Sequence, residues 1–255
     1  MRIALATFRV TSSLERNLDE MNRMVMDAAS SGARLVLFPE AAPTGLLNND
    51  DPSHDLALGS PVPGPITRRW QQLANRTGIY FASGLLERAG NRLYDSAVLL
   101  NPEGELLLHY RRIQPQWHGA DADPEVYRQG AEVPVAVTEL GRVVVLICGD
   151  LFDDGICGQA GENKPNLLLV PFSRNFGDGS FDQQRWNREE LNSYAARAVR
   201  VGVTTAMVNG LEDPAASEYP SFGGAWMISP DGAVLASLPL GQPGMLLFDL
   251  ESGRE

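Results

Sequence analysis

Lysine is nearly absent from this chain: Lys164 stands alone, and every other basic side chain is an arginine. Cysteine is almost as scarce. Cys148 and Cys157 make neither a disulfide framework nor a zinc-ligand set. Three histidines, His54, His109 and His118, lie scattered without metal-ligand spacing, so neither a metal nor an organic cofactor is expected. No apolar run approaches the ~20 residues that a membrane helix needs. The opening MRIALATFRV stays apolar only briefly before Arg9, and it reads as a first strand, not a signal peptide. Positive charge is in deficit as well. A net charge of −11 argues against nucleic acid or an anionic membrane as the main partner. These absences leave a reduced, cytoplasmic protein as the simplest expectation.

What is present fits a globular protein of 255 residues, 44% apolar and 21% charged. No composition break and no repeat divides it, so residues 1–255 are expected to form a single domain. Short apolar runs bounded by Gly, Pro, Asp or Asn recur from Ile3–Thr7 and Arg34–Phe38 to Ala225–Ser229 and Met245–Phe248, as buried strands do. Between them, Ser12 or Ser13 can cap a helix reaching about residue 30, with Leu14, Leu18, Met21, Met24, Val25 and Ala28 as its apolar stripe. Further helices fit Ile66–Ala74 and Gln184–Val201. Turn-forming stretches at Asn101–Gly104 and Ser229–Gly232 suit hairpins. Strand–helix alternation mixed with hairpins implies helices layered outside mixed sheets.

Chemistry concentrates in three places. In Leu35–Glu40 an apolar strand ends at Pro39 and an acidic side chain follows at once. Ligands of open sheets bind beyond strand C-termini, which places Glu40 at a pocket, although a solvated carboxylate would give the same sequence. In Val143–Asp150, Cys148 ends a strongly apolar strand with Gly149 behind it. A small residue there permits a sharp turn that exposes the sulfur, whereas the commonest fate of a lone cysteine is burial. The third place is Leu106–Ile113, where Arg111 and Arg112 follow one another. Two adjacent arginines usually make a solvated basic face. His109 and His118 nearby invite a general-base reading that no partner spacing supports.

Taken in order, these segments resemble the nitrilase superfamily of carbon–nitrogen hydrolases. The likeness is carried by Phe38-Pro39-Glu40, by Tyr110-Arg111-Arg112 and by Cys148-Gly149-Asp150. It extends to Gly84 with Tyr94-Asp95-Ser96-Ala97, to Arg197-Ala198, to Val208-Asn209-Gly210 and to Phe222–Gly224 with Ser229–Gly232. The resemblance implies an α-β-β-α sandwich of two mixed sheets. In it a Glu, a cation and a Cys share one pocket, matched here by Glu40, Arg112 and Cys148, with Glu125 as a second acid. It also implies a small-molecule amide or nitrile substrate and a homodimer or larger assembly. The expected chemistry is hydrolysis of a non-peptide C–N bond through a thioester on Cys148, with Glu40 as base.

The chain departs from the family where Arg112 replaces the usual lysine, and Lys164 lies outside that motif. A guanidinium can stabilise an oxyanion but cannot readily donate a proton. Gln114 and Leu151–Asp154 depart too. The alternative is therefore a non-catalytic relative that keeps the fold for binding or assembly. For specificity, Gly149, Phe172 and Arg174 are expected to line the pocket. Arg174 would either clamp a substrate carboxylate or pair with an acid such as Asp178.

Overall fold

The computed structural model describes residues 1–250. In chain order the strands are β1 (Arg2–Thr7), β2 (Arg9–Val10), β3 (Leu35–Leu37), β4 (Tyr80–Ala89) and β5 (Arg92–Leu100). They continue as β6 (Leu106–Arg111), β7 (Val135–Thr138), β8 (Gly141–Val145), β9 (Leu167–Phe172) and β10 (Thr204–Asn209). The last four are β11 (Leu211–Glu212), β12 (Ala225–Ile228), β13 (Val234–Leu238) and β14 (Gly244–Asp249). Two six-stranded sheets result, ordered β14-β1-β3-β4-β5-β6 and β13-β12-β10-β9-β8-β7. Each is mixed, with parallel central pairs and antiparallel edges.

The two sheets face one another. Ile3, Leu5, Leu35 and Leu37 of the first bury in one cluster with Val143, Val145, Leu167 and Leu169 of the second. On the outside of the first sheet lie α1 (Leu14–Ser30) and α3 (Pro65–Thr77); α2 (Pro52–Leu58) sits between them in sequence. Ser13 caps α1 by accepting from the Arg16 N–H, and Leu18, Met21, Met24, Val25 and Ala28 of the predicted stripe face the sheet, whereas Leu14, in the first turn, is exposed. Outside the second sheet lie α4 (Asp154–Glu162) and a helix over residues 183–198, interrupted by a π turn at Trp186–Glu190. This is the α-β-β-α sandwich expected above.

The hairpins sit where the turn chemistry puts them: Asn101–Gly104 joins β5 to β6, and Ser229–Gly232 joins β12 to β13. No helix is long and apolar enough to cross a membrane among the described residues.

Candidate active site

Three strand ends from both sheets meet between the layers. Just past β3, Phe38 and Pro39 carry the chain to Glu40, and Gly84 of β4 donates its N–H to the Pro39 carbonyl at 3.0 Å. The approach is close enough that a Cβ on Gly84 would stand 2.6 Å from Glu40 Cα, so only glycine fits there. Glu40 is 2% exposed. Ala41 follows with φ +46° and turns the chain away.

From β6 the two neighbouring arginines diverge, because successive residues of a strand face opposite ways. Arg111 turns outward. Its fork grips Glu87 at 2.5 and 3.0 Å, and its guanidinium lies 3.8 Å from the centre of the Tyr94 ring. Arg112 turns inward and is 2% exposed, so the two arginines do not form a solvated basic face. Its Nη1 donates to Glu40 Oε1 at 2.9 Å and to Asp95 Oδ2 at 3.3 Å. Its backbone N–H donates to the Asp95 carbonyl, so the β5–β6 register fixes this meeting.

The third strand end belongs to β8. Ile147 is extended, and Cys148 then enters a 3-10 turn (Cys148–Phe152) with φ +46°. A non-glycine residue in the left-handed region costs of order 1–2 kcal/mol and persists only where surroundings enforce it, so such strain marks functional sites. The bend leaves Cys148 partly exposed, whereas Cys157 is buried with its thiol donating to the Leu151 carbonyl at 3.2 Å. A Cβ on Gly149 would stand 2.5 Å from Arg112 Nη2, so the guanidinium reaches the Cys148 turn through space that a side chain at Gly149 would take. The charge of Cys148 raises the proton affinity of both Glu40 and Arg112.

Asp150 ties these elements together. Its Oδ1 accepts from the Ile113 and Gln114 N–H groups at 3.1 and 2.8 Å; its Oδ2 accepts from the Ile147 N–H and the Tyr110 hydroxyl at 3.1 and 2.7 Å. One carboxylate thus fastens the Arg112 segment to the residue before Cys148. Asp150→Ala leaves four donors without their acceptor and is expected to cost about 3 kcal/mol or more in denaturant unfolding, with kcat lowered by displacement of Cys148.

Electrostatics follow from burial. Removal from water pushes the Glu40 carboxyl up to about 8, with Cys148 adding to the rise and Arg112 opposing it. Asp95 is raised by burial and then by the charge of Glu40. Three atoms of this cluster, Glu40 Oε2, Asp95 Oδ1 and Arg112 Nε, are buried without a hydrogen-bond partner. Unsatisfied polar atoms at this density mark a place built for something other than stability.

The remaining sequence expectations fare differently. Glu125 does not join the site: its side chain is 81% exposed and only approaches Arg128 at 3.9 Å. The acid that shares Arg112 with Glu40 is Asp95, from the strand beside Arg112. Phe172 is fully buried against Trp186, Tyr194 and Trp226, so it supports the wall and does not line it. Its neighbour Ser173 lies nearer the chemistry, with its carbonyl 3.9 Å from Cys148 Sγ. Arg174 is gripped by Glu190 through two bonds of 2.8 and 2.7 Å, while Asp178 pairs with Arg185. Beside that pair runs a cleft of about 430 Å³ lined by Phe152, Arg174, Glu189, Glu190, Ser193 and Tyr194. His109 is held by Glu87, and the His118 ring lies 2.8 Å from the Gly119 carbonyl; neither serves the site. Among the described residues no cluster of His, Cys, Asp and Glu could hold a metal.

Residues 2–254 match the family described as Carbon-nitrogen hydrolase. Omega-amidase NIT2 of Xenopus tropicalis is 27% identical over 245 residues, covering 92% of this chain and 83% of that protein. Nitrilase 3 of Arabidopsis thaliana is 30% identical over 152 residues, covering 51% of this chain and 42% of its own length. The chloroplastic omega-amidase of the same plant is 26% identical over 92% of this chain and 63% of its own. The chain thus spans less than two thirds of these two Arabidopsis relatives. Among solved structures, the NitN amidase from Nesterenkonia sp. AN1 superposes with a TM-score of 0.80 at 25% identity, covering 98% of this chain and 93% of the other.

Proposed function

Because the chain belongs to the carbon–nitrogen hydrolase family, we propose that it hydrolyses the C–N bond of a small, uncharged amide through a thioester on Cys148. The observation that carries this reading is the strained Cys148 turn, aimed at a buried Glu40–Arg112 pair. A binding protein would have no use for a left-handed cysteine beside a carboxylate whose affinity for protons lies near neutrality.

The steps balance on these residues. Glu40 takes the thiol proton as Sγ attacks the amide carbon, and the negative charge that develops on the carbonyl oxygen faces the Arg112 guanidinium. Arg112 stays charged throughout, so it stabilises the oxyanion without moving a proton. As the tetrahedral intermediate collapses, Glu40 passes its proton to the departing nitrogen and ammonia or an amine leaves. Water then attacks the thioester, Glu40 accepts its proton, and the sulfur recovers a proton as the carboxylic acid forms. No step requires the lysine that the family ordinarily carries.

The choice of an uncharged amide rests on Arg174. Its fork is closed on Glu190, and Glu189 in the same cleft pairs with Arg185 and Arg188, so no acid or arginine there is left unpaired, while Phe152 and Tyr194 give the cleft an aromatic wall. Amides with an apolar acyl group suit such a wall better than amides of dicarboxylic acids do. A panel of neutral, carboxylated and cationic amides tests this: the expected order of kcat/KM puts the neutral ones first, and a preference for carboxylated amides that disappears in Arg174→Ala would reverse it.

The pH dependence provides a second check. A base must be ionised to act, so kcat/KM should rise with pH through about 8, where a water-exposed glutamate would place that limb near 4.5. Stability should run the other way. The folded-state value lies above the unfolded one, so the stability Glu40 contributes in acid is lost as pH climbs from 4.5 to about 8. Thermal midpoints measured across that window should fall, and Glu40→Gln should flatten the fall.

A further inference from the structure

We propose that Asp95 is the second acid of the site, held protonated so that it donates a hydrogen bond to the Glu40 carboxylate and keeps Glu40 free to work as the base. The inference rests on the hydrolase reading for its consequence, though not for the protonation itself.

The geometry is a problem of one cation and two anions. Arg112 Nη1 is shared between Glu40 Oε1 at 2.9 Å and Asp95 Oδ2 at 3.3 Å, and both carboxyl groups are fully shielded from solvent. Ionising both would leave an uncompensated charge in the interior, at a cost of several kcal/mol. Two carboxylates in such a place keep one proton between them. Asp95 is the better holder. It lies farther from the guanidinium, so its charged form gains less from Arg112, and Glu40 is the one that faces Cys148. The other groups around Asp95 work in the same direction. Asp150, next to it, is a further carboxyl; Tyr110 is neutral and spends its proton on Asp150. Burial and then the charge of Glu40 raise Asp95, which favours its protonated form.

In this arrangement Asp95 is a positioning residue. Its proton fixes one Glu40 oxygen, leaving the other to face the sulfur, and it spares Arg112 from neutralising two anions at once. The free charge of the guanidinium is then available to the oxyanion. Asp95 thereby supplies a buried acid to a site whose expected second glutamate, Glu125, lies on the surface.

Infrared spectroscopy of the full chain reads the proton directly. At about pH 9, where Glu40 is ionised, the wild type should still show the C=O band of a protonated carboxylic acid, and Asp95→Asn should lack it. Asparagine reproduces the neutral acid, with one acceptor for Arg112 and one donor for Glu40. Its kcat should therefore fall only about 3- to 10-fold with KM unchanged, whereas Asp95→Leu should fall about 100-fold or more. An acid band that survives Asp95→Asn would overturn the proposal, as would Asp95→Asn proving as inactive as Asp95→Leu. Failure of the hydrolase reading looks different: no amide is turned over by the wild type, yet the band is present and vanishes in Asp95→Asn, which supports the acid pair.

Discussion

Cys148→Ala should lower kcat for amide hydrolysis by a factor on the order of 10⁴ or more, the scale seen when a covalent nucleophile is removed. The loss should come without damage to the fold. The Cys148 thiol makes one long contact, 3.9 Å to the Ser173 carbonyl, and its side chain is only partly buried. Alanine inherits the same φ of +46° and the same strain. Cys148→Gly gives a sharper contrast, because glycine enters the left-handed region freely. That variant should be equally inactive and about 1 kcal/mol more stable in denaturant unfolding. A site that becomes more stable when its chemistry is deleted is one that strain holds in readiness. If both variants retain activity, the sulfur is not the nucleophile.

Arg112→Met is expected to have the second largest effect. It withdraws the cation that pairs with Glu40 and Asp95, both fully buried. Leaving buried charge unpaired costs about 3–5 kcal/mol, and losing the group that faces the oxyanion lowers kcat/KM by about 10²–10³-fold. The two losses are separable by assaying well below the unfolding midpoint. Arg112→Lys is the more instructive change. A single ammonium can meet Glu40, but it cannot at the same time reach across the space above Gly149, where Nη2 lies. Its activity should fall between the wild type and the methionine variant. Full activity in Arg112→Lys would mean that the guanidinium fork does nothing a point charge cannot do.

Much of this architecture was legible in the sequence because it is written in local patterns. The α1 stripe from Leu18 to Ala28, the Ser13 cap and the hairpins at Asn101–Gly104 and Ser229–Gly232 lie where spacing and turn chemistry put them. Glu40 and Cys148 were readable as residues that end apolar strands, and Arg112 as their companion through the family resemblance. The failures share one cause: they depend on register or side-chain direction across elements. Asp95 entered the sequence reading only as part of a motif, since nothing local reveals that β5 and β6 align it with Arg112. The family resemblance points to Glu125, but it sits on a loop that turns its side chain into water. Phe172 and Ser173 are neighbours with opposite fates, one against the helix layer and one beside the sulfur. Two elements left weaker signals. β13 is mostly exposed, and the seven residues of α2 are too few for an apolar period to be recognised.

The most direct test is the mass of the intact chain, quenched in acid while turning over a small neutral amide. The account predicts a transient gain equal to the acyl group, mapped by proteolysis to the peptide containing Cys148 and absent from Cys148→Ala. Hydrolysis that proceeds undiminished in Cys148→Ala, or an acyl group found on another residue, would contradict it.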